Sequence, residues 1–176
     1  MILLVILVFL LFLIAGSVIL ATLRLSIPPM PSNRMMRAQA GALLRDYGGT
    51  GPVTDLGSGW GGFARSLALA FPDRQVRGME LSLVPFFCSR AVCALAGPGN
   101  LSFARKNVLK EPLVSGSTYV CYLSTMHMTR LSRKITDEGF TGTIISLVFA
   151  LHGVQPEVSS EIDDFYRSRI YVYRFD

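Results

Sequence analysis

The apolar positions of this chain fall into three regimes. From Met1 to Leu23 the only residues that are not strongly apolar are Gly16, Ser17 and Thr22, and none is charged. From Ser32 to Tyr47, Met35, Met36, Ala40, Leu43 and Leu44 recur at the spacing of one helix face, after Ser32 or Asn33 as cap. From Pro52 onward short β-rich runs alternate with helical stretches. The strands expected are 52–56, 75–80, 101–105, 118–123 and 143–150, and the helices between them 62–71, 83–95 and 126–138. The last of those strands is apolar throughout, as for a strand covered on both faces. Two further strands, 164–166 and 169–175, alternate in a way that suits an antiparallel pair. Alternating strands and helices predict an α/β fold with a mainly parallel sheet.

The first regime is long enough, at about 1.5 Å per residue, to cover the roughly 30 Å of a bilayer core. A cleaved signal peptide would carry a basic start, and Met1-Ile2-Leu3 has none. A buried helix would be amphipathic. Residues 1–23 are therefore read as a retained transmembrane anchor, 24–31 as a proline-stiffened linker and 32–176 as the folded domain. Arg24, Arg34, Arg37 and Arg45 all precede the first acid, Asp46, which puts the domain on the cytoplasmic side.

Composition sharpens this. The chain has 176 residues, 51% hydrophobic and 16% charged, with a net charge of +5. That charge suits anionic headgroups, and the sequence has no zinc finger, ribonucleoprotein motif or block of like charge. The expected partner is a membrane, with no nucleic acid. Cys88, Cys93 and Cys121 match no metal spacing, and the first two are expected as free thiols buried in a helix. No metal site is expected.

The chemistry concentrates in Asp55-Leu56-Gly57-Ser58-Gly59-Trp60-Gly61-Gly62, at the carboxyl end of the first strand, where ligands of doubly wound sheets bind. Glu80 closes the second strand, placed to accept hydrogen bonds from a ribose. Gly57, Gly59 and Gly62 with Glu80 also satisfy the dinucleotide fingerprint. Asp55 argues against it: a carboxylate two residues before the loop suits the cationic amino end of S-adenosylmethionine and repels a pyrophosphate. The terminal strand pair argues the same way.

With its acid followed by G-x-G-x-G (Asp55, Gly57, Gly59, Gly61), the domain resembles class I S-adenosylmethionine-dependent methyltransferases. More narrowly, it resembles the family of the ATP synthase c-subunit and adenine nucleotide translocase lysine methyltransferases. That likeness runs through Pro28–Ser32, Asp55–Gly59, Glu80-Leu81, Phe103–Asn107 and Arg169–Tyr173. It implies a Rossmann-like seven-stranded sheet of order 3-2-1-4-5-7-6 with the last strand antiparallel. It also implies S-adenosylmethionine as cofactor, held by Asp55, Gly57, Ser58, Gly59, Gly61, Glu80, Leu81 and Asn107, and methylation of a protein lysine near the membrane. A lipid or quinone acceptor, or a silent cofactor-binding subunit, are the alternatives. Trp60-Gly61 stands where the family has Asp-Gly, Asn107 where it has aspartate. Leu123-Ser124-Thr125-Met126 replaces the Asp/Asn-Pro-Pro-aromatic motif that holds a target nitrogen, which leaves the target amine open; direct displacement from a sulfonium needs no dedicated acid–base residue, and no catalytic residue is assigned. His127, His152 and Tyr122 are read as surface or packing groups by default, Phe86-Phe87 as helix core, and Glu157, Glu161, Asp163 and Asp164 as a solvated loop. Trp60 is weighed equally as packing or as cover for the site.

Overall fold

The computed structural model describes residues 32–176, together with Met1, Leu4, Val5, Val8, Phe9 and Gly16. Residues 1–31 and 32–176 are separate compact units. The expected anchor and linker lie almost wholly outside the described residues. Among the described residues no helix is long and apolar enough to cross a membrane.

Four helices and seven strands follow Ser32. They are α1 (Arg34–Tyr47), β1 (Val53–Leu56), α2 (Gly62–Ala70), β2 (Val76–Glu80), α3 (Leu83–Ala96), β3 (Leu101–Arg105), β4 (Ser117–Cys121), α4 (Thr125–Asp137), β5 (Gly142–Leu147), β6 (Val158–Glu161) and β7 (Arg169–Phe175). They form one sheet of order β3-β2-β1-β4-β5-β7-β6. The first five strands are parallel, and β7 runs antiparallel to both β5 and β6. The expected order therefore holds.

The sheet separates two apolar cores. Leu44, Leu67, Val53, Val76, Val120 and Ile145 belong to one, which includes α1 and α2. Leu56, Cys121, Met128, Leu131, Ile144 and Tyr173 belong to the other, which includes α4. Because successive strand residues face opposite sides, Val53 and Leu56 fall in different cores. β1 and β4 are buried at every position, as central strands of a covered sheet must be.

Several local expectations shift. Asn33, rather than Ser32, caps α1: its Oδ1 accepts from the Met36 backbone N–H at 2.7 Å. Residues 164–166 are not a strand. The Arg167 N–H donates to the Asp164 carbonyl at 3.0 Å and the Ser168 N–H to the Asp164 side chain at 2.8 Å, which folds the segment into a turn. The sixth strand lies earlier, at Val158–Glu161. Glu157, just before this strand, and Glu161, its last residue, both expected in a loop, pair with Arg174 and with Arg167 and Arg169 respectively. On α3 only Phe86 and Ser89 are buried. Phe87 is 58% exposed and Cys88 is exposed, against the expectation of core and buried thiol.

Two side chains fasten the connections on the amino-terminal side of the strands. Asn100 Nδ2 donates to the carbonyls of Ala68, Phe71 and Arg74 at 2.9–3.0 Å, tying the end of α2 to the start of β3. Arg74 reaches the carbonyls of Gly51 at 2.8 Å and Gly48 at 3.0 Å, holding the turn before β1. Truncation of Asn100 to Ala removes this shared donor, leaving the Phe71 carbonyl with only the Arg74 N–H. It should cost about 1–3 kcal/mol of stability in a denaturant titration, with the slope of the transition unchanged.

Candidate functional site at the carboxyl edge of the sheet

β1 ends at Leu56, and the chain must reverse over the strand ends to enter α2. It does so through three left-handed glycines, Gly57 (φ +78°), Gly59 (φ +53°) and Gly61 (φ +80°). That backbone is strained for any residue with a Cβ. Space also restricts it. A Cβ on Gly57 would lie 2.9 Å from Leu123 of the β4–α4 connection, and one on Gly61 2.6 Å from the Phe103 ring. At Gly59 nothing lies within 4 Å, so the middle of the loop opens outward.

Backbone bonds fix the loop against β2. The N–H groups of Gly57 and Ser58 both donate to the Met79 carbonyl at 2.9 Å. Glu80 completes the attachment. One carboxylate oxygen accepts from the Gly59 N–H at 2.9 Å and the other from the Ser82 N–H at 2.7 Å. A single buried acid thus joins the glycine loop to the turn that opens α3, with lone pairs left for a ligand.

Asp55 lies beneath this loop, 3% exposed. Burial, and then the charge of Glu80, push its pKa from 3.8 up to about 7, while the Ala64 backbone N–H and Arg37 pull it down. Its Oδ2 and the Ser58 hydroxyl are buried with no hydrogen-bond partner. Buried polar atoms are rarely left unpaired, so these two mark a place prepared for another group.

Arg37 supplies the cation. In the sequence it counts only as part of the basic flank. In the fold its Nε donates to Ser32 Oγ at 3.0 Å and its Nη1 to the Gly62 carbonyl at 3.3 Å, over the start of α2. Only that 25-residue contact gives it a role, and no local pattern signals it. Gly78 was also missed. A Cβ there would meet Phe103 at 2.4 Å and the Ser58 hydroxyl at 2.7 Å, so its absence makes room for both.

The remaining expected residues are spread along the same edge. Leu81 follows Glu80, is 46% exposed, and its carbonyl accepts from Arg105 at 3.2 Å. Asn107 follows β3, and its Oδ1 accepts from the Leu109 N–H at 3.0 Å, which directs one lone pair into its own turn. Trp60 is 47% exposed at the loop surface. Tyr122 is half-buried and stacks near Phe149, at 6.2 Å between ring centres. His152 is exposed in the turn after β5, and its carbonyl accepts from the Ser132 hydroxyl at 2.7 Å. His127 is better placed than its default reading allowed. It lies in the first turn of α4, with Nδ1 2.8 Å from Ser124 Oγ and its own N–H on the same oxygen. Burial, then Arg130, lower its pKa below 6.5, so the imidazole is neutral at pH 7. Among the described residues no cluster could hold a metal ion. An open recess of about 650 Å³ bounded by Gly48, Ser117, Gly142 and Phe175 lies at the opposite edge of the sheet and has none of this chemistry.

No family model matches the chain, and no curated protein matches it. Solved structures do. An RNA methyltransferase from Salinibacter ruber, in complex with S-adenosyl-L-homocysteine, has a TM-score of 0.71 at 17% identity, over 83% of this chain and 94% of that one. The precorrin-6y C5,15-methyltransferase of Geobacter metallireducens has 0.61 at 12%, over 83% and 89%. The 23S rRNA methyltransferase ErmE has 0.61 at 16%, over 82% and 69%. The fold is the one these methyltransferases share. None of them is a lysine methyltransferase, so the narrower likeness gains nothing from them. The exclusion of nucleic acid does not stand, because two of the three act on RNA by name. The missing ribonucleoprotein and zinc-finger motifs belong to other modules, and their absence says nothing about this fold.

The Asp55 carboxyl gives a pH signature. Folded, it keeps its proton up to about pH 7; unfolded, it loses it near 3.8. The folded state therefore binds more protons across that window, and this group's contribution to stability falls as pH rises from about 4 to 7. Denaturant titrations across pH should show that decline in the wild-type chain and lose it in Asp55→Asn. A Gly61→Ala chain, strained at φ +80° and crowded by Phe103, should be markedly less stable in the same assay.

Proposed function

We propose that this chain binds S-adenosylmethionine and transfers its methyl group to a nucleophile. The observation that carries this is the charge balance at the loop: two buried acids, Asp55 and Glu80, against one nearby cation, Arg37. With both acids ionised the site is anionic by one charge. S-adenosylmethionine, with a sulfonium, an ammonium and one carboxylate, is cationic by one. A pyrophosphate-bearing dinucleotide is anionic and would be repelled. The unpaired Asp55 Oδ2 and Ser58 hydroxyl fit a ligand that brings donors.

Glu80 would hold the ribose hydroxyls through its remaining lone pairs. Asp55 and Ser58 would take the amino-acid end, and Asn107 and Leu81 would border the adenine. Gly57, Gly59 and Gly61 let the backbone come close. When bound, the cofactor supplies an electrophilic methyl group for direct displacement. The protein's part is to align the nucleophile and exclude water. The Leu123–His127 segment, whose Leu123 side chain lies against Gly57, would meet the acceptor. In the tautomer that carries its proton on Nδ1, toward Ser124 Oγ, the His127 Nε2 would be left able to take a proton.

The acceptor we infer is a lysine amine of a protein close to a membrane. The support is the resemblance along Pro28–Ser32, Phe103–Asn107 and Arg169–Tyr173, together with the apolar segment 1–23 and its arginine flank, read as a single-pass anchor with the domain in the cytoplasm. A second reading, a nucleophile on RNA, is favoured by the likeness to two RNA methyltransferases and by exposed Arg105, Lys106 and Lys110 beside the site.

Incubation of the full chain with methyl-labelled cofactor and cell fractions tests both. Label in protein, lost in Glu80→Gln, is expected. Label in RNA selects the second reading, and label in no fraction contradicts methyl transfer. A cation bound beside Asp55 favours its ionised form, so cofactor affinity should rise with pH through about 7 and lose that dependence in Asp55→Asn.

A further inference from the structure

α3 is an apolar helix that the domain leaves uncovered. Of its fourteen residues only Phe86 and Ser89 are buried. Leu83, Phe87, Ala91 and Leu95 follow one another at four-residue spacing, which stacks them along one side of the helix. All four are exposed, Leu83 by 50%, Phe87 by 58% and Leu95 by 88%. Val92 (53%) and Cys88 widen the strip into a face. An uncovered apolar face of this length marks an interaction surface.

Its charges say what kind. The helix carries Arg90 and no acid, and no acidic residue occurs from Leu81 to Lys110, where Arg105, Lys106 and Lys110 are all exposed. Arg65 of α2 also sits at this helix, donating to the Ala96 carbonyl at 3.2 Å. An apolar strip bordered by Arg65, Arg90, Arg105 and Lys110, with the one neighbouring acid, Glu111, already engaged by Lys106 at 3.1 Å, matches the boundary of an anionic bilayer, where apolar side chains enter the acyl region and arginines meet phosphates. A second copy of the chain fits less well. A twofold contact would bring one predominantly basic border against another, with its one acid, Glu111, already taken by Lys106.

We propose that α3 lies in the surface of an anionic membrane, with Leu83, Phe87, Ala91 and Leu95 in the lipid. α3 begins three residues after Glu80, so this contact sets the carboxyl edge of β2 beside the lipid. It is a separate contact from any anchor at residues 1–23, and it does not depend on methyl transfer.

Cys88 provides the probe. In the full chain with Cys93→Ala, a fluorophore on Cys88 is read in vesicles of phosphatidylcholine and phosphatidylglycerol; Cys121 is fully buried and stays unlabelled. Quenching by a lipid carrying a nitroxide near its headgroup, with loss of quenching by aqueous iodide, is expected. Phe87→Lys with Leu95→Lys should restore iodide access while circular dichroism stays unchanged. The proposal is overturned if iodide reaches the wild-type probe. It is equally overturned if the probe is shielded from both quenchers, the pattern of the chain's own N-terminal segment or a second copy lying over α3. Lipid quenching that survives both lysines also contradicts it. A probe at Ser17→Cys reports the N-terminal segment separately, so failure of the anchor and failure of α3 are distinguishable.

Discussion

The Glu80 carboxylate holds this site together. Each of its oxygens takes one backbone N–H, from Gly59 and from Ser82, and so one side chain joins the glycine loop to the start of α3. Such charge-assisted bonds are shorter and stronger than neutral ones. Burial beside Asp55 makes the arrangement costly, and that cost is visible in the raised pKa of Asp55. Arg37 offsets part of it from α1. The result is a loop with fixed backbone, two unpaired buried polar atoms and, above about pH 7 where Asp55 is ionised, an excess of negative charge.

Those features decide between ligands that the glycine pattern alone does not separate. The same three-glycine turn approaches a pyrophosphate or a sulfonium nucleoside equally well. What differs is the charge beneath it. A carboxylate under the loop with its Oδ2 unpaired is unfavourable for a phosphate and favourable for an ammonium. The likeness to solved methyltransferases agrees on the fold, and the charge argument stands on this chain's own residues.

Much of the fold was legible because the alternation of short β-rich runs with helical runs leaves few topologies open. β3 and β7 are placed residue for residue, and other strand and helix ends move by one to three positions. The sixth strand falls outside the expected bounds because three of the four residues of Val158–Glu161 are polar and the strand lies at the sheet edge, where period and burial give little signal. Asp164–Tyr166 has the composition of a strand but is bent by its own side-chain hydrogen bond. Of the site, Asp55, the glycines and Glu80 were readable, since their spacing is local. Arg37, Gly78 and the Ser124–His127 pair were not, since the first two depend on contacts between distant segments and the last on a cap. α3 misleads for a different reason. An apolar helix in a sequence reads as core, and only the finished sheet shows that this one covers an edge and stays open on its other side.

The central claim is that the glycine loop selects a cationic sulfonium nucleoside by charge. Calorimetric titration of the full chain in detergent at pH 8 tests it most directly, with S-adenosylmethionine and a nicotinamide dinucleotide compared on the same preparation. The account predicts saturable binding of S-adenosylmethionine, weakened at least roughly tenfold, about 1.4 kcal/mol, by Glu80→Gln, and no measurable binding of the dinucleotide. Equal or tighter binding of the dinucleotide would contradict it.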